Sequence, residues 1–175
     1  LYRWFSTVLE RCRDPREVIV YHLPSITAVP LSSPLIGRLK LAFPGVVTGV
    51  KDSSGEWANT ERLLADHADL HILVGDERQL ARAMRQGGSG AINGFSNFCA
   101  RTILPMVERG EDVAGIAELV DLLLRYPVTP GVKALVAHRF RDDAYLAVAP
   151  PLVPADPAAR AALAAAFDAL PTGQR

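Results

Sequence analysis

The chain has 175 residues, 49% of them hydrophobic and 22% charged, with 19 Lys and Arg against 19 Asp and Glu. That composition excludes intrinsic disorder, and a net charge of zero leaves no basic excess with which to hold nucleic acid or an anionic membrane. The length suits one domain by the usual range of roughly 100–200 residues, and it is ample to bury a core.

Short β-rich runs alternate with helical patterns along the chain. Tyr2 to Cys12 reads as an amphipathic helix ending near Asp14-Pro15, and Val18 to Tyr21 as a β-branched strand of the kind buried in parallel sheets, stopped by Pro24. Ser33-Pro34 offers an N-cap and a first-turn proline for a helix over Leu35 to Phe43, followed by a second strand from Val46 to Lys51 and a turn closed by Gly55. Helical spacing from Trp57 to Ala68 leads to a third strand, Leu70 to Val74, which ends at Gly75-Asp76. A helix over Glu77 to Gln86 is closed by Gly87-Gly88, a fourth short strand covers Gly90 to Asn93, and a further helix lies around Ala100 to Arg109.

Beyond these four βα units the pattern is helical, over Val113 to Leu124 and Val132 to Phe140. A proline-rich link (Pro150, Pro151, Pro154) then precedes Asp156-Pro157, which opens a closing helix to Leu170. Strand spacings of roughly 20–30 residues suit βαβ crossovers, so the expected class is α/β with a parallel sheet, organised as residues 1–110 carrying the βα units and 111–175 as a helical extension. No apolar run approaches the about 20 residues of a membrane helix. Cys12 and Cys99 read as free buried thiols of an intracellular, cytoplasmic protein. The start, Leu1-Tyr2-Arg3-Trp4-Phe5, lacks both an initiating Met and the pattern of a signal peptide, as a piece of a longer chain would.

In folds of this class the ligand sits at the carboxyl ends of the strands. Lys51 ends a hydrophobic strand, where its ammonium would be partly desolvated, which favours the neutral amine. Such an amine can attack a carbonyl and form a Schiff base that acts as an electron sink for the adjacent carbon–carbon bond. The plainer reading of this residue alone is a solvated lysine paired with Asp52 or Glu56. Tyr21 ends the preceding strand, and strands about 4.8 Å apart would let its phenol reach a substrate on Lys51 and relay protons. Taken alone, it could equally be a core aromatic with one buried partner for its hydroxyl.

The segments Tyr-His-Leu-Pro-Ser-Ile-Thr (Tyr21 to Thr27), Gly-Val-Lys-Asp-Ser-Ser-Gly (Gly49 to Gly55), Val-Gly-Asp-Glu (Val74 to Glu77) and Gly-Gly-Ser-Gly-Ala-Ile (Gly87 to Ile92) keep one order and spacing. Together they resemble the dihydrodipicolinate synthase/N-acetylneuraminate lyase family of class I aldolases. The resemblance implies a (β/α)8 barrel of the TIM type, of which only the last four βα units are present, with a C-terminal helical segment. It further implies a homotetramer acting on pyruvate or a pyruvate-yielding 2-keto acid, with no metal and no cofactor beyond a covalent imine on the enzyme. By position Lys51 corresponds to the Schiff-base lysine and Tyr21 to the proton-relaying tyrosine. The carbonyl of Ile92 corresponds to the group holding the keto-acid end, and Ser53, Gly75, Asp76 and Glu77 to positions that bind the hydroxylated tail in the lyase branch. Asp76 also suits the N-cap of the helix beginning at Glu77.

Departures narrow the branch. Where the synthase branch places an arginine for a substrate carboxylate this chain has Ile26, which cannot make that pair, so dihydrodipicolinate synthesis is disfavoured. A serine of sialic acid lyases is replaced by Gly94, which argues against that substrate too. A 2-keto-3-deoxy sugar acid, or a similar hydroxylated keto acid cleaved to pyruvate and an aldehyde, is the expected substrate. The alternatives are a dehydratase using the same imine and a non-catalytic half barrel, since neither the early carboxylate-binding motif of the family nor its neighbour-subunit tyrosine is present.

His67 and His71 straddle a helix end and a strand start without a neighbouring glutamate, so zinc is not expected. His22 and His138 read as isolated. Gly87 to Gly90 lacks the Gly-Lys-Ser/Thr ending of a phosphate loop, and Arg139 to Asp143 reads as a solvated face. Four βα units are half of what a barrel of about 250 residues requires, so the chain reads as the C-terminal part of a longer enzyme or as one that must pair with another chain.

Overall fold

The computed structural model describes residues 1–171 and contains two compact units, Leu1–Ile92 and the residues from Asn93 onward. The first unit begins with α1 (Tyr2–Arg11) and continues through β1 (Val18–His22), α2 (Pro24–Thr27), α3 (Ser33–Ala42) and β2 (Val47–Asp52). It closes with α4 (Trp57–Asp66), β3 (His71–Val74), α5 (Glu77–Arg85) and β4 (Gly90–Ala91). All three strand pairs are parallel and the order is β1-β2-β3-β4, each strand beside its sequence neighbour. A sheet that never reverses its strand order is the arc of a barrel; a doubly wound sheet would switch direction partway.

Alternation along the strands separates two faces. Val20, His22, Val50, Asp52, Ile72 and Val74 are buried, on the side where α3, α4 and α5 pack against β2, β3 and β4. Ile19, Tyr21, Lys51, His71 and Leu73 occupy the other side and are only partly covered or exposed. Gly49 belongs to that open side, and a Cβ there would stand 2.7 Å from the His71 carbonyl oxygen, so only glycine permits the close β2–β3 approach.

The second unit holds α6 (Ser96–Arg109), α7 (Ile116–Leu123), α8 (Val128–Phe140), a 3-10 turn (Asp143–Leu146) and α9 (Pro157–Asp168). Its core is built from Leu119, Leu123, Leu135, Leu163, Phe167 and Leu170. Gly131 lets α8 come close to its neighbours, because a Cβ there would meet Leu123 Cδ1 at 2.4 Å.

Several local signals act as expected. Gly87, at φ +92°, and Gly88 close α5 by donating to the carbonyls of Met84 (3.2 Å) and Ala83 (2.8 Å), the paired bonds of a Schellman end. Asp156 caps α9 through Ala159 N at 2.8 Å. Other expectations are corrected. Cys12 is exposed beyond α1, whereas Cys99 is buried. The short helix α2 begins at Pro24 itself, α6 starts at Ser96 instead of Ala100, and α8 starts at Val128 instead of Val132. Gly115, at φ +84°, delays α7 to Ile116.

The cap of α3 is Ser32, whose Oγ accepts from Leu35 N at 3.4 Å, while Ser33 lies inside the helix. Buried Ser33 Oγ donates to Asp66 Oδ2 (2.6 Å) and stands 3.0 Å from His67 Nε2, tying the start of α3 to the end of α4. Ser33→Ala should therefore cost about 1–3 kcal/mol, by leaving a hole in the buried contact with His67 and removing the bond to the exposed Asp66, against about 1 kcal/mol or less for Ser32→Ala with its long cap bond. Urea denaturation of both variants measures the difference, and equal losses would contradict the assignment.

Candidate functional site

The strand register places Lys51 directly between Tyr21 on β1 and Leu73 on β3, on the open face. Its Nζ lies 4.0 Å from the centroid of the Tyr21 ring, a cation–π contact between half-buried Lys51 and a tyrosine that is 47% exposed. Among the described residues Lys51 pairs with neither Asp52 nor Glu56; its ammonium meets the Tyr21 ring instead. The two strand ends bring a primary amine and a phenol ring together on a surface open to a small ligand.

The parallel ladder extends one residue past each strand. Ser53 N donates to the His22 carbonyl and Gly75 N to that of Asp52, both at 2.8 Å. These bonds press Ser53 against Gly75 so tightly that a Cβ on Gly75 would stand 2.1 Å from Ser53 Oγ and 3.0 Å from Ser53 Cβ. Ile92 N likewise donates to the Val74 carbonyl at 3.1 Å, which aligns Ile92 beside the end of β3 with 43% of its surface exposed.

Asp76 caps α5, accepting from Arg78 N at 3.0 Å, and the Arg78 guanidinium returns to grip the same carboxylate, with Nη2 to Oδ2 at 2.6 Å and Nε to Oδ1 at 3.0 Å. Glu77 is buried at the helix start. The acidic pair read from the sequence as sugar-hydroxyl acceptors is thus one carboxylate already held by an arginine and one enclosed by the fold. Arg78 was absent from the sequence reading, although a basic residue two positions after an N-cap aspartate is a visible signal.

Asp52, expected at most to pair with Lys51, does something else. Only 3% exposed, it faces the helices and not Lys51. Its Oδ1 accepts from Ser54 N (3.0 Å), and its Oδ2 accepts from Asn59 Nδ2 (3.0 Å) and from the Thr60 hydroxyl (2.8 Å). The histidines are all engaged. His22 Nδ1 accepts from Leu31 N at 3.0 Å, His67 Nε2 stands against Ser33, His71 Nδ1 is 3.4 Å from Ser89 Oγ, and His138 Nε2 is 3.0 Å from Asp168 Oδ2. His22 and His138 thus each have one hydrogen-bonding contact. Among the described residues no group of three His, Cys, Asp or Glu side chains could hold a metal ion, and no helix is long and apolar enough to cross a membrane. Ile26 is 78% exposed on α2. In the second unit a Cβ on Gly94 would meet Val132 Cγ2 at 2.9 Å, so a serine there would require Val132 to move.

Comparison with known proteins gives this arrangement its relatives. A dihydrodipicolinate synthase of Agrobacterium tumefaciens superposes with a TM-score of 0.93 at 51% identity, over 97% of this chain and 59% of that one. A Sulfolobus 2-keto-3-deoxygluconate aldolase shares the fold at a TM-score of 0.79 and 16% identity, over 95% of this chain and 57% of that one. Among curated sequences, a DapA-like lyase of Chloroflexus aurantiacus is 29% identical over 97% of this chain and 59% of its own length. A 4-hydroxy-tetrahydrodipicolinate synthase of Sorangium cellulosum is 34% identical over 87% of this chain and 53% of its own. The chain thus spans between half and three fifths of the length of these relatives, and its sheet is four βα units of the (β/α)8 type. The dihydrodipicolinate synthetase family model matches residues 1–170, and the chain belongs to that family.

Proposed function

We propose that this chain carries the imine-forming half of a lyase that cleaves a 2-keto-3-deoxy sugar acid, or a similar hydroxylated 2-keto acid, to pyruvate and an aldehyde. The observation that carries the reading is the placement of Lys51 Nζ over the Tyr21 ring at adjacent strand ends. The Lys51 amine adds to the C2 carbonyl and water leaves, giving an iminium. The C3–C4 bond then breaks as the C4 hydroxyl loses its proton and becomes the aldehyde. The electron pair of that bond moves into the iminium and produces an enamine. Protonation at C3 and hydrolysis by water release pyruvate and restore the amine. Tyr21 is the proton carrier in this scheme, the Ile92 carbonyl meets the keto-acid end, and Ser53, Gly75 and Asp76 line the tail, a role that Glu77, buried at the start of α5, does not share.

A hydroxylated tail is favoured over the dihydrodipicolinate precursor because Ile26, exposed on α2, offers no charge to a carboxylate. The bonded pair of Asp76 and Arg78 presents both acceptors and donors to hydroxyl groups. A dehydratase would use the same iminium but expel a hydroxyl as water, and a tetramer completing the site is part of this proposal.

Incubation with pyruvate and borohydride tests the proposal, with mass spectrometry of the peptide carrying Lys51. A reduced pyruvate adduct on Lys51 is expected. A folded protein without that adduct would overturn the reading and leave a non-catalytic half barrel. Once labelling is established, products formed from several keto-deoxy sugar acids separate lyase from dehydratase.

A further inference from the structure

We propose that Asp52 is a positioning residue for Lys51, a role that rests on the imine-forming reading and adds to it the device that holds the amine in place. Strand alternation puts the Asp52 side chain on the helix-covered face, so it does not touch a ligand on the open face. What it does touch is the segment that Lys51 begins. Oδ1 takes the Ser54 amide, fixing the turn from Asp52 to Gly55, and Oδ2 takes Asn59 and Thr60 from the first turn of α4. Thr60, itself buried, also lies 2.9 Å from Gln79 Oε1 on α5. The carboxylate thereby joins the end of β2 to the helices that follow β2 and β3. Lys51 is held by its place in the sheet between β1 and β3 and by Asp52 through the next peptide.

Chemistry explains why this position carries a carboxylate. Three donors converge on it from a main-chain amide, a carboxamide and a hydroxyl, and a carboxylate accepts all three on two oxygens. An asparagine of the same size has one acceptor oxygen, so its NH2 would have to face at least one of the donors. The stem of Lys51 would then lose the fixed base from which its amine reaches the Tyr21 ring.

The chain has three lysines, Lys40, Lys51 and Lys133, so two serve as internal references. Competitive acetylation with limiting acetic anhydride, read peptide by peptide, reports the shielding of each amine, and borohydride trapping with pyruvate reports productive placement. In Asp52→Asn, acetylation of Lys51 relative to Lys40 and Lys133 should rise about threefold as the amine leaves the Tyr21 ring, while pyruvate trapping falls about tenfold, because small misplacements of a reacting group are costly. Global unfolding would raise all three lysines together. Thr60→Ser keeps the hydroxyl donor and should retain the parent ratios, and Thr60→Val should shift them in the same sense as Asp52→Asn.

A folded Asp52→Asn protein that loses thermal stability but keeps the parent acetylation ratios would overturn the proposal. If Asp52→Asn does not fold, unchanged ratios in Thr60→Val overturn it instead. Should the parent itself fail to trap pyruvate, the lyase reading falls, while the acetylation ratios still decide whether Asp52 positions Lys51.

Discussion

Lys51→Arg should give a folded chain that forms no adduct with pyruvate. Arginine keeps the positive charge and can stack on the Tyr21 ring as the lysine does, so the contact seen at 4.0 Å has a replacement and the β1–β2 pairing is undisturbed. What is lost is the nucleophile, because a guanidinium stays protonated at any pH the fold tolerates and has no free electron pair to offer a carbonyl. Circular dichroism and melting should match the parent closely while the borohydride-trapped product falls to background. Trapping that persists at the parent rate would relocate the amine to Lys40 or Lys133, and peptide mapping would show which.

Gly75→Ala should be among the most damaging single-atom additions at the strand ends. The new methyl would sit 2.1 Å from Ser53 Oγ, which can rotate away, but also 3.0 Å from Ser53 Cβ and 3.3 Å from the Asp52 carbonyl oxygen, which cannot move without breaking the bond from Gly75 N. Overpacking of this kind costs about 1–3 kcal/mol, or several degrees of melting temperature in a chain of this size. Ser53→Ala in the same chain removes the worst contact and should recover part of the loss, leaving the remainder to Cβ and the carbonyl. Thermal denaturation of the two single variants and the double variant forms a complete cycle. A Gly75→Ala protein as stable as the parent would contradict the close approach.

Local signals made the strands and most helix ends legible in the sequence. Gly87-Gly88, Asp76 and Asp156 act within a few residues of themselves, and each does in the structure what its residue type does in isolation. Errors arose where a distant partner decides. Ser32 and Ser33 are equally good caps on paper, and only Asp66 and His67, more than thirty residues away, draw Ser33 into the interior. α8 begins at Val128, ahead of the Val132 start expected from sequence, because Pro130 sits in its first turn, where a missing N–H costs nothing. Asn93 similarly opens α6 early, its Oδ1 accepting from Ser96 N and Oγ.

At the site, the juxtaposition of Lys51 and Tyr21 was legible because consecutive parallel strands bring their ends side by side, as the register does, whereas their roles rest on the resemblance of the segments that carry them. Asp52 was hidden by its neighbour. Beside a lysine it reads as an ion-pair partner, although alternation along β2 turns it to the opposite face, where its partners Asn59 and Thr60 come from the following helix.

The open side of the sheet bears on the lifetime of the chemistry. An imine on Lys51 would project beside a half-exposed Tyr21 and above Ile19, His71 and Leu73, with little to keep bulk water from it. Water is the reagent that returns such an imine to free amine and keto acid, and it protonates an enamine without regard to an incoming aldehyde. Whatever roofs this face sets how long the bound intermediate survives and what it meets, whereas the strand ends decide only whether it forms.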